Sequence, residues 1–386
     1  SLRHVLWVNE IAAAVGGCEA YVLHTVAALA ERGVRSSLLY DPRRQTQTSF
    51  LRAFVGAYPL IEPAQQIRAL QPDLVYVHRL EGEPLLTSIR EGGVPVARFF
   101  HDHRPFCLRE HKYTTLGQRI CSLPIGLRCY PCLGMLQRSA DWPGLRIARL
   151  GPLQRELAAN RGLEAFVLGS RYMRDHVVAH GFPADRCHVV PLYAPDPGPG
   201  DDTPRDEHLV VFLGQLVRGK GVDVLLDAFV QVAAPARLVI VGTGRQELEL
   251  RAQALRLGLD RRVDFVGAKH GEEKLRLLRQ AAVVAVPSRA PETFCLIGPE
   301  AMSCGTPLVA SAAAGILEWL EDDVNGLAVP PSQPRPLAQA LNRLLGDPEL
   351  RARLGKAGRE RFAARFTAER HLEGLLSVFE GLLRRA

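Results

Sequence analysis

The chain lacks any run of about 18 uncharged apolar residues, and with it the material for a membrane-spanning helix. Its opening, SLRHVLWVNEIAAAVGG, lacks a signal-peptide layout and reads instead as an early strand, so a cytoplasmic protein is expected. No short-period repeat occurs, and RNA-recognition signatures are absent, so no nucleic acid partner is expected. Cysteine is not scarce. Eight of them in 386 residues with no secretory signal are expected to stay reduced or to bind metal, not to form a disulfide framework.

A chain of 386 residues that is 47% apolar can fill two cores, because single cores stop growing near roughly 250–300 residues. The formal charge of +7 is unevenly placed: residues 1–192 carry 23 Lys+Arg against 16 Asp+Glu, whereas residues 193–386 carry 25 of each. A basic first half suits nucleic acid, an anionic membrane surface, a phosphorylated substrate or simply a solvated arginine-rich face.

Apolar runs at Val5–Val8, Ser37–Leu39, Leu74–Val77, Val96–Phe100, Ala165–Leu168 and His188–Val190 alternate with helical patterns such as Ala20–Arg32. That rhythm predicts a parallel, doubly wound α/β sheet. The stretch APDPGPGDDTPRD from Ala194 to Asp206 is too rich in Pro, Gly and Asp for either period and reads as a linker. The rhythm then restarts at Leu209–Leu213, Leu238–Val241, Val263–Val266, Ala281–Pro287 and Leu308–Ser311. The organisation expected is a Rossmann-like domain over residues 1–193, a linker over 194–207, a second Rossmann-like domain over 208–365 and a terminal amphipathic helix over 366–386.

The most specific segment is PETFCLIGPEAMSCGTPLVAS, Pro291 to Ser311, in which Glu292 and Glu300 flank seven residues. Ahead of it the run AAVVAVP has the continuous apolarity of a parallel strand covered on both faces. Pro299 suits the first turn of a helix and Gly305 its exit. Two carboxylates beside a helix start, at the carboxyl end of such a strand, can grip sugar hydroxyls while backbone N–H groups receive a phosphate. The pattern, continued by Ala301, Met302, Gly305 and Pro307, resembles the E-x7-E signature of the retaining, family-4 glycosyltransferases of the GT-B fold.

That resemblance implies two Rossmann-like domains facing a cleft, and a sugar moved from a UDP- or GDP-sugar to a hydroxyl acceptor. It implies Glu292 on a donor-sugar hydroxyl, Glu300 on the ribose, and backbone N–H groups of Phe294, Cys295 and Leu296 on sugar and phosphate. Cys295 replaces the family's usual glycine. The segment Leu213 to Gly221, LGQLVRGKG, is similar to the family's G-R-L-x-x-x-K-G, with Gly214 and Lys220 in place and Gln215 where the family has arginine. Gly242, Ala268 and the Gly16-Gly17-Cys18-Glu19 loop fall on further turns that the family uses for its nucleotide sugar. His101, directly after the strand Val96–Phe100, corresponds to the histidine near the anomeric carbon. No D-x-D triplet is present, so a catalytic divalent ion is not expected. The alternatives are a sugar-nucleotide epimerase or hydrolase of the same architecture, and a non-catalytic basic binding protein.

Between Phe106 and Cys132 the connection is too long for an ordinary turn and holds Cys107, Cys121, Cys129 and Cys132. Four thiolates complete a tetrahedral zinc site, and an iron–sulfur cluster has the same ligand count; free thiols and disulfides are the other readings. Residues 133–160 read as a basic amphipathic helix, suited to a peripheral contact with an anionic membrane, to an acceptor groove, or to solvent.

Overall fold

The structure, a computed structural model, describes residues 2–114, 119–138, 144–198 and 204–385. It falls into two compact units, one of Ser1–Leu116, Ser122–Val190 and Ala368–Ala386, the other of Gly117–Cys121 and Pro191–Thr367.

Unit 1 contains β1 His4–Val8, β2 Arg35–Tyr40, β3 Gly56–Pro59, β4 Leu74–Val77, β5 Val96–Phe99, β6 Leu136–Arg138, β7 Leu145–Ile147, β8 Ala165–Leu168 and β9 Cys187–Val189. Seven of these form one parallel sheet in the order β3-β2-β1-β4-β5-β8-β9. Every residue of β1, β4, β5 and β8 is buried, as runs like HVLWV and LVYV require when helices cover both faces. One strand carries a charge inside. Arg98 of β5 is accommodated by donating to Asn160 Oδ1 and to the Leu80 carbonyl. The helix Ala368–Leu383 belongs to this unit, burying Leu375 and Phe379 and bringing His371 Nε2 within 2.9 Å of Tyr21 Oη.

The basic helix expected over 133–160 does not form. β6 and β7 pair antiparallel, and a helix begins only at Leu150, ending at Arg161. Gly134 and the dipeptide Pro143-Gly144 interrupt the pattern, since proline removes a helix donor and glycine costs about 1 kcal/mol in a helix interior. Among the described residues no helix is long and apolar enough to cross a membrane.

Unit 2 contains β10 Asp206–Leu213, β11 Arg237–Val241, β12 Val263–Phe265, β13 Ala281–Val286, β14 Leu308–Ser311 and β15 Leu327–Val329, all parallel in the order β12-β11-β10-β13-β14-β15. β10 starts at Asp206, inside the stretch expected to be linker, and residues 199–203 of that stretch lie outside the described residues. In each sheet the chain order reverses direction, between β1 and β4 in unit 1 and between β10 and β13 in unit 2. Such switch points leave a crevice at the carboxyl ends of the strands, where open α/β sheets take ligands.

Candidate functional site

At the unit 2 switch point the turns are packed so closely that side chains are excluded. A Cβ on Gly242 would lie 1.8 Å from the Gly214 carbonyl oxygen, and one on Gly221, which sits at φ +71°, would lie 2.0 Å from that of Pro287. Lys220, on the turn Arg218–Lys220, therefore comes within reach of Glu292 beyond β13. Its Nζ donates to Oε1 at 2.8 Å and to Oε2 at 3.0 Å, and Ser288 Oγ donates to Oε1 at 2.6 Å. Burial works against the Lys220 charge, but the Glu292 carboxylate outweighs it and holds the ammonium above its ordinary range. An ammonium has three donors, so this pairing leaves one N–H for a third partner.

Glu300 lies on the short helix Ile297–Ser303 and is 9% exposed. Lys274 Nζ donates to its Oε1 at 2.6 Å, whereas Oε2 is buried with no partner. A buried acceptor left unmet costs about 1–3 kcal/mol, so this oxygen is poised for an incoming donor. Lys274 and Ser288 escape sequence reasoning. Lys274 sits in the charged helix GEEKLRLLRQ, where nothing separates it from a solvated lysine.

Between the two glutamates, Cys295 adopts φ +68°, a left-handed conformation that favours glycine, and this accounts physically for glycine being usual there. Burial, followed by the Glu292 charge, pushes its thiol up to about 12. The N–H groups of Phe294, Cys295 and Leu296 donate to no backbone carbonyl among the described residues. The turn is held from below: Trp319 Nε1 donates to the Phe294 carbonyl at 2.7 Å, and a Cβ on Gly298 would lie 2.2 Å from the Trp319 ring. Gln215 and Ala268 are exposed on the turns after β10 and β12.

Gly16, Gly17 and His101 belong to unit 1, where β1, β4 and β5 end side by side. Gly16 precedes the helix Gly17–Ala30 in extended conformation, and Glu19 of that helix is buried with Oε1 3.4 Å from Arg79 Nη1. His101 Nε2 lies 2.7 Å from Nδ1 of His78, the residue after β4, which sequence reasoning overlooked although both histidines end neighbouring strands. His101 stacks on Phe99 with centroids 4.2 Å apart, and His78 on Trp7 at 5.0 Å. Burial brings the His101 pKa down to about 3, and burial also lowers that of His78. Both rings are therefore neutral near pH 7, and a single N–H···N bond joins them. They line a cavity of about 330 Å³ with Arg79, Arg98, Arg104 and Arg149 set among Glu81, Asp102, Glu110 and Glu156.

The structure forms no disulfide among Cys107, Cys121, Cys129 and Cys132 and brings no three of their sulfurs within 4.8 Å of one another. Cys121 lies in unit 2 and the other three in unit 1. Among the described residues the only group of three or more metal-type donors within 4.8 Å of one another is Cys18, His78 and His101. The loop packs onto the core of unit 1: Phe106 is part of that core, Ile125 packs against it, and Leu108 and Tyr113 are buried. It is also tied to His180, which takes the Ile125 N–H at 3.3 Å and Lys112 Nζ at 3.4 Å on Nε2 and donates from Nδ1 to the His176 carbonyl at 2.7 Å. Apolar burial and these hydrogen bonds order the loop.

Burial lowers the His180 pKa from 6.5 to about 4 and that of His176 to about 2, the latter helped by the charges of His103 and His180. From 6.5 downward the unfolded chain binds protons that these folded histidines refuse, so stability is lost as pH falls through that window. We expect a lower Tm near pH 5 than near pH 7, and a smaller gap in His180→Gln; an unchanged gap would show that this ring does not tie the loop.

Two family models match the chain: "Glycosyltransferase Family 4" over residues 15–192 and "Glycosyl transferases group 1" over residues 201–361. The D-inositol 3-phosphate glycosyltransferase of Xylanimonas cellulosilytica is 34% identical over 244 residues, 58% of each chain. That of Jonesia denitrificans is 35% identical over 249 residues, 58% of this chain and 56% of its own. These matches span just over half the length of those relatives. Among solved structures, Anabaena HepE in complex with UDP superposes with a TM-score of 0.73 at 18% identity, covering 98% of this chain and 100% of its own. Sucrose-phosphate synthase from Thermosynechococcus elongatus gives 0.73 at 22% identity and covers 100% of both chains. Two parallel Rossmann-like sheets, the carboxylate pair on the β13 turn and the two family models converge: the chain belongs to the family-4 glycosyltransferases of the GT-B fold.

Proposed function

We propose that the chain transfers a hexosyl group from a nucleotide-diphosphate sugar to a hydroxyl acceptor with retention of configuration. The observation that carries this reading is Glu300 Oε2, a buried carboxylate oxygen without a donor, one helical turn beyond open backbone N–H groups. A ribose hydroxyl supplies the missing donor, and the diphosphate meets the N–H groups of Phe294, Cys295 and Leu296, the Gly214 turn and the third N–H of Lys220. Glu292 takes a hydroxyl of the donor sugar, and the turns at Gly242 and Ala268 flank the base. Residues 208–365 thus form the nucleotide-sugar domain and residues 1–193 the acceptor domain.

A UDP-sugar is the favoured donor, since the HepE structures hold UDP and UDP-glucose; a GDP-sugar is the second reading. The cavity beside His101 offers donors and acceptors in equal measure, which suits the hydroxyls of a polyol or glycan. The Gly16-Gly17 loop leads into it through Cys18. Lys220 and backbone dipoles meet the leaving-group charge, so no divalent ion is required. The basic excess of the first half favours peripheral contact with an anionic membrane.

Glu300→Ala tests the assignment. Losing a charged hydrogen bond should weaken UDP binding by about 1.5–3 kcal/mol in calorimetry on folded variant. Unchanged affinity would remove Glu300 from the nucleotide site.

A further inference from the structure

Three donors from beyond three different strand ends converge in unit 1. A donor atom of each of Cys18, His78 and His101 lies within 4.8 Å of the other two. The convergence follows from topology, because β1, β4 and β5 are neighbours and the three residues lie beyond their carboxyl ends. The imidazoles are held without metal: Trp7 and Tyr76 pack on His78, and Phe99 and Tyr21 on His101, with centroids 4.2–5.4 Å apart. Cys18 is steadied by Asn9, whose Oδ1 lies 3.8 Å from Sγ and also accepts the Arg79 N–H at 3.1 Å. All three residues line the same cavity, so a solvated ion reaches them from it.

We propose that Cys18, His78 and His101 form a binding site for a borderline-soft divalent cation of the zinc class, with its fourth position open to the cavity. Two imidazoles and a thiolate are the donor set such ions prefer. The required movement is small. Tetrahedral coordination at about 2.0–2.1 Å to nitrogen and 2.3 Å to sulfur sets nitrogens roughly 3.3 Å apart and sulfur roughly 3.6 Å from each. The His78–His101 pair, at 2.7 Å, opens by about 0.6 Å as the ion replaces the proton between them. On binding, one metal–sulfur and two metal–nitrogen bonds form; the Cys18 S–H bond breaks and its proton leaves to solvent, while the N–H bond between the rings breaks and that proton is restored on the other nitrogen of the same imidazole, so both rings stay neutral. This is not a catalytic metal. It occupies His101, which the family resemblance sets near the anomeric carbon, so the ion acts as an inhibitor; that consequence alone rests on the transferase reading.

The test is a cobalt(II) titration of the intact chain by visible and near-ultraviolet absorption, followed by competition with zinc. Tetrahedral d–d bands with a thiolate-to-cobalt charge-transfer band are expected, one equivalent per chain, displaced by zinc. In Cys18→Ser the charge-transfer band should vanish and affinity fall at least about tenfold, since even second-shell losses cost 10–100-fold. The triple variant Cys107→Ser, Cys129→Ser, Cys132→Ser should keep the band. A band that survives in Cys18→Ser and disappears in the triple variant overturns the site, as does no band at all. Alkylation of wild-type protein followed by peptide mapping needs no variant: zinc should protect Cys18, and equal labelling with and without zinc also overturns the site. If Cys18-dependent cobalt binding appears while glycosyl transfer continues undiminished with zinc bound, the site stands and the catalytic placement of His101 falls.

Discussion

Lys220→Ala should lower kcat/KM for the nucleotide sugar by about 10²–10³, the loss seen when one preorganised donor to a developing negative charge is removed. The geometry gives the reason. Lys220 rests on the Glu292 carboxylate at 2.8 and 3.0 Å, in a turn clamped by the close approach of Gly221 to Pro287, and its remaining N–H is fixed before any substrate arrives. Charge accumulates on the departing diphosphate, so the interaction strengthens toward the transition state and turnover falls more than ground-state binding does. Calorimetry separates this role from a structural one. UDP should lose affinity on Lys220→Ala while uridine does not. Equal losses for both would show that the lysine merely supports Glu292, whose carboxylate would otherwise keep only the Ser288 hydroxyl at 2.6 Å. Activity measured on variant with wild-type Tm closes that route.

How much of this was legible in the sequence depends on how local each feature is. The strand AAVVAVP and the helix bounded by Pro299 and Gly305 are local patterns, and β13 Ala281–Val286 and the helix Ile297–Ser303 fall where those patterns put them. β3 and β15 went unread because GAYP and LAV are too short to show a period. The pairing of Lys220 with Glu292 joins residues 72 apart in the chain, and the spacing of neither motif contains it. The cysteines make the same point in reverse. A thiol's neighbours are set by which strand ends meet, and Cys18, isolated in sequence, is placed by the sheet order beside two histidines. His78 was hidden for the same reason: only the adjacency of β4 and β5 gives it meaning.

Trp319→Ala should destabilise the protein by about 3–5 kcal/mol, the usual cost of emptying a large aromatic site in a core. Trp319 is fully buried, and its indole fills the space that Gly298 leaves by having no side chain. Its Nε1–H also meets the Phe294 carbonyl at 2.7 Å, and the Asn325 amide meets its own carbonyl at 2.7 Å. The indole thus links the core of unit 2 to the turn that carries Glu292, Cys295 and Glu300. Trp319→Phe separates the two contributions. Phenylalanine keeps most of the apolar burial but withdraws the donor, leaving the buried Phe294 carbonyl unmet at about 1–3 kcal/mol. Chemical denaturation should therefore rank the variants with alanine weakest and phenylalanine intermediate. If the indole positions the turn, Trp319→Phe should also bind UDP more weakly than wild type at a temperature where both are fully folded, because N–H groups displaced from the diphosphate lose alignment. UDP affinity equal to wild type in a stably folded Trp319→Phe would reduce Trp319 to core packing and leave the strained φ of Cys295 to hold the turn alone.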